Sequence, residues 1–399
     1  MTEKSYPFLD LGAVTAPYKE ELIEAAARVI GSGRFIGGSE VESLERQLAE
    51  QLGVPYAIGL SNGMDALRLT LRAFVELGRL RKGQGVVVPA NTFIASVLAI
   101  TDASLVPVFA EPDIVTMNLS GYTLEKAIVD NPSIEIGAVM PVHLYGRVAW
   151  DWKMKEIVEE RGLIVVEDTA QAIGAESMYE DGLFDSCHAG ALGHAGCFSF
   201  YPTKNVGALG DAGMVVTHDA PLADMVRTLA NYGSMRRYHT EYCGFNCRMD
   251  PIQAAFISVK LRHMEEENEA RLRNAEAYAS AIDNPLVIHP PMPLTESERQ
   301  CVWHQYVVRT IDRDGLKAYL ESRGVHTDIH YPVPCHMQPA IIKAVGELLP
   351  GGMPSLPVAE EMAKVILSLP VSSATSLSDV IEISGIINDY GKEIFHKKK

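Results

Sequence analysis

The sequence predicts an α/β fold: a mostly parallel central sheet with helices on both faces, followed by a smaller C-terminal α/β domain. Three observations carry that expectation. Apolar runs at residues 56–60, 86–89, 105–109, 138–142 and 163–167 alternate with helical patterns such as 65–77, 92–101 and 154–160, the order that βαβ units impose. The chain has 399 residues and 47% apolar side chains, enough for one large domain and a smaller one. Near residue 251 the texture changes, so the predicted division is a large domain of residues 1–250 and a small one of 251–399.

The first run leads into Leu60-Ser61-Asn62-Gly63-Met64-Asp65 and an amphipathic helix. Backbone N–H groups at such a helix start, with the helix dipole, form an anion site, and Gly63 permits close backbone approach. The same residues also suit a plain βα turn. The second run ends in Pro89-Ala90-Asn91-Thr92-Phe93, where Phe93 is either a stacking aromatic at the sheet edge or a core residue. The run 163–167 delivers Glu167-Asp168 at a strand end, with Gln171 one turn further on. Ligands of such sheets bind beyond the carboxyl ends of the strands. About 36 residues later comes Phe198-Ser199-Phe200-Tyr201-Pro202-Thr203-Lys204-Asn205, with the glycine-rich stretch 207–213 behind it. Among these aromatics and glycines, exposure is not the obvious fate of Lys204.

Beyond residue 251, positions 253–282 read as one long charged helix that bridges to the second domain. Residues 284–298 are rich in proline and polar side chains and read as a mobile connection. Residues 302–311, 314–323 and 325–331 suggest strand, helix and strand, with helices after Val358 and Ser378.

The net charge of −16 argues against a nucleic-acid coat, and no apolar stretch is long enough to span a bilayer. Met1-Thr2-Glu3-Lys4-Ser5 lacks the pattern of a secretion signal, and six scattered cysteines suit a reducing compartment. The expectation is a cytoplasmic protein with no nucleic-acid or membrane partner. Cys243 and Cys247 resemble half a metal site, but no second ligand pair follows, so no metal is expected.

An acid at a strand end and a lysine on a turn point to pyridoxal 5'-phosphate (PLP). Lys204 would form the Schiff base, and Asp168 would pair with the pyridinium nitrogen so that the ring acts as an electron sink. Gln171 could reach the ring hydroxyl. Once a substrate amine displaces it, a freed lysine can move a proton between two carbons, as transamination requires.

Together these residues resemble the DegT/DnrJ/EryC1/StrS family of sugar aminotransferases. The likeness runs over nearly the whole chain: Phe8-Leu9-Asp10-Leu11, Ser32-Gly33-Arg34-Phe35-Ile36-Gly37-Gly38, Glu167-Asp168-Thr169-Ala170-Gln171-Ala172, 198–205, 244–255 and Ile329-His330-Tyr331-Pro332. It implies the fold-type I aminotransferase architecture and a homodimer with shared active sites. It also implies a nucleotide-linked keto-sugar as acceptor and L-glutamate as donor. By the same resemblance Lys204 is the Schiff-base lysine and Asp168 its acidic partner. Phe93 stacks, Gln171 neighbours the ring hydroxyl, and Ser199 with Asn62, Gly63 and Met64 holds the phosphate. Asn246 reaches the phosphate of the neighbouring subunit with Arg248 beside it. His330 and Tyr331 line the sugar pocket, in a C-terminal block most like that of members acting on 3-keto sugars.

Three departures stand out. Met64 replaces a Ser or Thr, which throws that contact onto the backbone or a neighbour. Residues 177–195 look longer than usual and read as an inert surface loop or a change to the pocket. His194 and Ala212 replace residues that are often Asp and Gly. Related dehydrating enzymes carry His at the lysine position, so Lys204 counts against that chemistry. A cyclitol-ketone aminotransferase and a non-catalytic PLP-binding regulator stay as alternatives. Dinucleotide binding is weaker, because Gly31-Ser32-Gly33 followed by Gly37 has the wrong spacing.

Overall fold

The structure is a computed structural model that describes residues 4–392 except 178–180, 237, 294–297 and 350. Seven strands make the main sheet: β1 (Tyr56–Leu60), β2 (Gly85–Pro89), β3 (Val106–Ala110), β4 (Ile136–Val139), β5 (Ile164–Asp168), β6 (Ala195–Ser199) and β7 (Gly213–Thr217). Their spatial order is β1-β7-β6-β5-β4-β2-β3. Only β7 runs against its neighbours. Because β1 and β6 both oppose β7, they run in the same sense as β2–β5. The carboxyl ends of β1, β2, β5 and β6 therefore open on one edge.

Successive strand side chains point to opposite faces. Val86 and Val88 accordingly join one apolar cluster and Val87 another. The first cluster packs under the helix Gly63–Glu76, which buries Leu67, Leu71 and Phe74. The opposite face is covered by Ser39–Leu52, Gly121–Asp130 and Trp152–Arg161. The last of these starts where the Asp151 side chain accepts from Met154 N at 2.8 Å and ends at Gly162, φ 61°, a left-handed cap that only glycine adopts cheaply.

A short hairpin, β8 (Ser234–Arg236) and β9 (His239–Thr240), precedes the C-terminal region. There β10 (Tyr306–Arg309) pairs antiparallel with β11 (Ile366–Leu369). Tyr278, Trp303, Tyr306 and Leu367 form its core, which also takes in the N-terminal Tyr6. Tyr6 N donates to Gly324 O at 2.7 Å. No helix among the described residues is long and apolar enough to cross a membrane.

Several expected elements differ. The long helix is two helices, Pro251–Leu261 and Met264–Ala281. The break falls at Arg262 and His263, which both pair with Glu21, at 2.5 and 3.0 Å, while His263 stacks on Tyr18. Residues 325–331 form no strand: Val325 and Asp328 make only isolated bridges, and β11 takes the place beside β10. The connection after residue 283 is anchored at its start, where Asn284 Nδ2 donates to Ile387 O at 2.6 Å and Ile288 pairs with Arg309; residues 294–297 lie outside the described set. The second half of the long 177–195 segment is core, with Ala189, Ala191 and Leu192 buried.

Gly196 on β6 faces that segment, and a Cβ there would stand 2.1 Å from Gly190 O. Gly196→Ala should therefore cost about 1–3 kcal/mol and lower the thermal unfolding midpoint. An unchanged midpoint would show that the 190–193 turn moves aside freely.

Candidate active site

The shared edge of the sheet opens on a cavity of about 510 Å³. Its lining includes Asn62, Gly63 and Met64 after β1, Phe93 after β2, Asp168 and Gln171 at the end of β5, and Ser199 and Lys204 at the end of β6. His330 and Tyr331 close it from the C-terminal region. Ten of the residues singled out from sequence thus meet on one cavity. Asn246 and Arg248 do not line it.

Asp168 is buried, and both its oxygens are held. Oδ2 accepts from the Ser96 hydroxyl at 2.7 Å and Oδ1 from Ala170 N at 3.2 Å. Ser96 is itself fully buried and lies 2.9 Å from Thr92 Oγ1. The carboxylate is therefore oriented before any ligand enters. Lys204 opens onto the same cavity but is otherwise walled by protein. Burial lowers its pKa from the usual 10.5 to about 8, and Asp168 opposes that shift only partly. Among the described residues no hydrogen bond or ion pair engages its Nζ.

The anion corner is built by close backbone packing. Asn62 caps the helix Gly63–Glu76, accepting from Asp65 N at 2.8 Å, and Asn62 O accepts from Ala66 N at 3.1 Å. Among the described residues nothing accepts from the N–H groups of Gly63 and Met64, as befits first-turn donors. A Cβ on Gly63 would meet Ser199 Cβ at 2.5 Å, and one on Gly213 would meet Asn62 O at 2.3 Å. Two glycines thus let the turn press against Ser199, whose hydroxyl joins the two amides. Met64 costs nothing here, because its position contributes a backbone donor.

The remaining wall is aromatic and amide. Phe93 is half exposed, with its ring centroid 5.4 Å from that of Tyr331. Gln171 bridges two elements: its Oε1 accepts from Tyr145 N at 2.6 Å, and its Nε2 donates to Tyr331 Oη at 3.2 Å. His330 Nδ1 lies 2.8 Å from Ser368 Oγ, and burial pushes the ring down to about 4. Burial, with Asp168 nearby, pushes Tyr331 well above the usual phenol range. Arg248 instead donates to Asn231 Oδ1 at 3.0 Å, outside the cavity.

PLP fits these groups: two amides and a hydroxyl for a phosphate, an oriented carboxylate for a ring nitrogen, and a lysine for an aldehyde. Sequence reasoning missed Ser96, His304 and Gln305, the last two also on the cavity wall. Ser96 lies in the otherwise apolar helix Ile94–Asp102, where a serine gives no signal by itself. His304 and Gln305 sat inside a run read as strand. Among the described residues of the 177–195 segment none lines the cavity.

Residues 17–388 match the DegT/DnrJ/EryC1/StrS aminotransferase family. The chain is 39% identical, over 96% of its length and 99% of the relative, to a dTDP-3-amino-3,6-dideoxy-alpha-D-galactopyranose transaminase of Aneurinibacillus thermoaerophilus. It is 34% identical, over 96% of each chain, to a UDP-N-acetyl-3-dehydro-alpha-D-glucosamine 3-aminotransferase of Acidithiobacillus ferrooxidans. Among solved structures, S. venezuelae DesV in complex with a ketimine intermediate superposes with a TM-score of 0.87 at 38% identity, covering 97% of this chain and 99% of that one.

Competitive acylation of amines in the cofactor-free protein should place the midpoint of Lys204 reactivity near pH 8. The sign follows from burial: the ammonium is disfavoured, so the neutral amine appears at lower pH than in an ordinary lysine of pKa about 10.4. A midpoint shared with the surface lysines would refute the desolvation argument.

Proposed function

The chain belongs to the DegT/DnrJ/EryC1/StrS aminotransferase family, and from that premise we propose that it transfers an amino group from L-glutamate to the C3 ketone of a nucleotide-linked deoxysugar. It is a PLP-dependent aminotransferase. The observation that carries the substrate reading is the join between a lysine–acid pair and a deep cavity closed by His330 and Tyr331. The relatives named for 3-amino and 3-dehydro sugars carry dTDP in one case and UDP in the other, so the nucleotide class is a nucleoside diphosphate. L-Glutamate is the donor that the family resemblance implies.

PLP, when bound, supplies the electron sink. Gly63 N–H, Met64 N–H and the Ser199 hydroxyl bind its phosphate at a helix start. Asp168 keeps a proton at the ring nitrogen, and Ser96 fixes the carboxylate for that task. Lys204 Nζ anchors the aldehyde carbon. Its amine, titrating near pH 8, would also be suited to hold and pass on the proton that transamination moves between two carbons. Phe93 and Gln171, both on the cavity wall, would be the residues to cover the ring and to neighbour its hydroxyl. His330 and Tyr331 hold the sugar. Asn246 and Arg248 serve the cavity of a second copy, which makes the active species a homodimer. The cytoplasm is the compartment that suits its scattered free cysteines.

Adding L-glutamate to the PLP-loaded enzyme should change its visible spectrum and release 2-oxoglutarate, and Lys204→Ala should abolish multiple turnover. Full turnover by that variant would sink the assignment. A spectrum unmoved by glutamate would point to another donor.

Mixing inactive Lys204→Ala chains with inactive Asn246→Ala chains should restore activity, to about a quarter of wild type for random dimers with one intact site. No recovery on mixing would confine each site to one chain.

A further inference from the structure

Two side chains on the cavity wall have no part in the chemistry above. His304 and Gln305 are 8% and 6% exposed, and both line the cavity with Lys204. They follow Trp303, whose φ of 49° lies in the left-handed region that side chains rarely adopt.

A chain of hydrogen bonds fixes the tautomer of His304. Asn268 Nδ2 donates to Ile173 O at 3.2 Å, which leaves Asn268 Oδ1 to accept from Asn205 Nδ2 at 2.8 Å. Asn205 Nδ2 also donates to Val302 O at 3.1 Å. With both orientations set by backbone carbonyls, Asn205 Oδ1 is an acceptor. Its 2.9 Å contact with His304 Nδ1 therefore places the proton on Nδ1. A neutral imidazole so arranged carries its lone pair on Nε2. That nitrogen has no hydrogen-bond partner among the described residues. Burial and the Lys204 charge hold the ring well below its usual range, so it stays neutral. Gln305 Oε1 is also buried without a partner among the described residues.

His304 Nε2 is thus an acceptor without a protein partner on the cavity wall, open to a ligand that donates, and the buried Gln305 Oε1 beside it is costly to leave unpaired. Glutamate's carboxylates offer only further lone pairs, and its one donor, the α-amino group, is the group committed to transfer. A sugar hydroxyl donates.

We propose that His304 Nε2, with Gln305 beside it, is a subsite that accepts a hydrogen bond from a ring hydroxyl of the acceptor sugar. Asn205 and Asn268 are its positioning residues. The subsite rests on the nucleotide-sugar reading above. It discriminates by donor chemistry: the wall suits a polyol and disfavours the amino-acid substrate.

Calorimetric titration of the PLP-loaded enzyme tests it, with dTDP and UDP each compared with the corresponding α-D-glucose conjugate. The wild type should bind one sugar conjugate more tightly than its bare nucleotide. His304→Phe should lose about 3–10-fold of that preference, the range of one hydrogen bond, with bare-nucleotide affinity and the PLP spectrum unchanged. Gln305→Met, close in volume, should weaken the preference in the same direction and serves if His304→Phe fails to fold. Nitrogen NMR of labelled histidine should show Nε2 of His304 unprotonated and shifted by the sugar conjugate but not by L-glutamate. A protonated Nε2, or a preference retained by His304→Phe, overturns the subsite alone. A wild type that binds the conjugates no better than bare nucleotide also overturns it. A wild type that binds no nucleotide at all removes the substrate class and the subsite together.

Discussion

Glu167 is fully buried, and its carboxylate accepts four hydrogen bonds: from the N–H of Gly190, Leu192 and Gly193 at 2.7, 2.9 and 2.8 Å, and from His143 Nε2 at 2.8 Å. Taking a carboxylate out of water costs several kcal/mol, and only a full set of charge-assisted bonds offsets it. His143 Nδ1 accepts from Ala149 N at 3.0 Å, so Nε2 is the donor to the acid. The backbone N of His143 also donates to Asp168 O at 3.0 Å. The clamp thus grips β5 by side chain and main chain at adjacent residues. Because neighbouring strand residues face opposite ways, fixing Glu167 on one face fixes Asp168 on the other. A slip of one residue would exchange them and turn Asp168 into the loop.

Once Asp168 is placed, the energetics of Lys204 follow from two opposed effects. Burial is the larger and favours the neutral amine; the nearby carboxylate favours the ammonium. The net shift, from 10.5 to about 8, corresponds to roughly 3 kcal/mol between protonation states. A stronger ion pair would hold the lysine protonated and unreactive. A fully dry site would leave no proton to return. The Ser96 hydroxyl bears on this balance by engaging Asp168 Oδ2 from the side of its own helix, so the acid is not left to turn wholly toward the lysine.

The pattern of apolar runs was enough to read β1–β5, and three of them, β1, β2 and β5, end within a few residues of a chemically distinctive turn. Lys204 and Asp168 were legible because a buried lysine near a strand-end acid has few other uses. Ser96 was not, because serine in an apolar helix carries no signal until its partner is known. The break at Arg262 and His263 has no Pro or Gly to announce it; it depends on Glu21 and Tyr18, more than 200 residues away in the chain. Residues 325–331 have strand-like composition, yet His330 and Tyr331 turn to the cavity and β11 pairs with β10 instead. Tertiary contacts overrode propensity in both places.

The segment 246–249 shows why two residues with motif-like context stay out of their own cavity. Cys247 and Met249 are buried, while Asn246 is exposed and Arg248 partly so. That alternation, with bridges from Arg248 to Leu60 and from Asn246 to Asn231, is strand-like. Cys247 O accepts from Ser61 N at 3.1 Å, which ties the segment to the backbone just before the Asn62 turn. To turn Asn246 inward would turn Cys247 and Met249 out to water, at a cost of roughly 1.5–3 kcal/mol for each large apolar side chain exposed. The segment is therefore close to the anion corner but committed to facing away from it. Polar groups held there are turned away from their own cavity by the burial of Cys247 and Met249, and that local constraint is what supports the proposal that they serve a second copy of the chain.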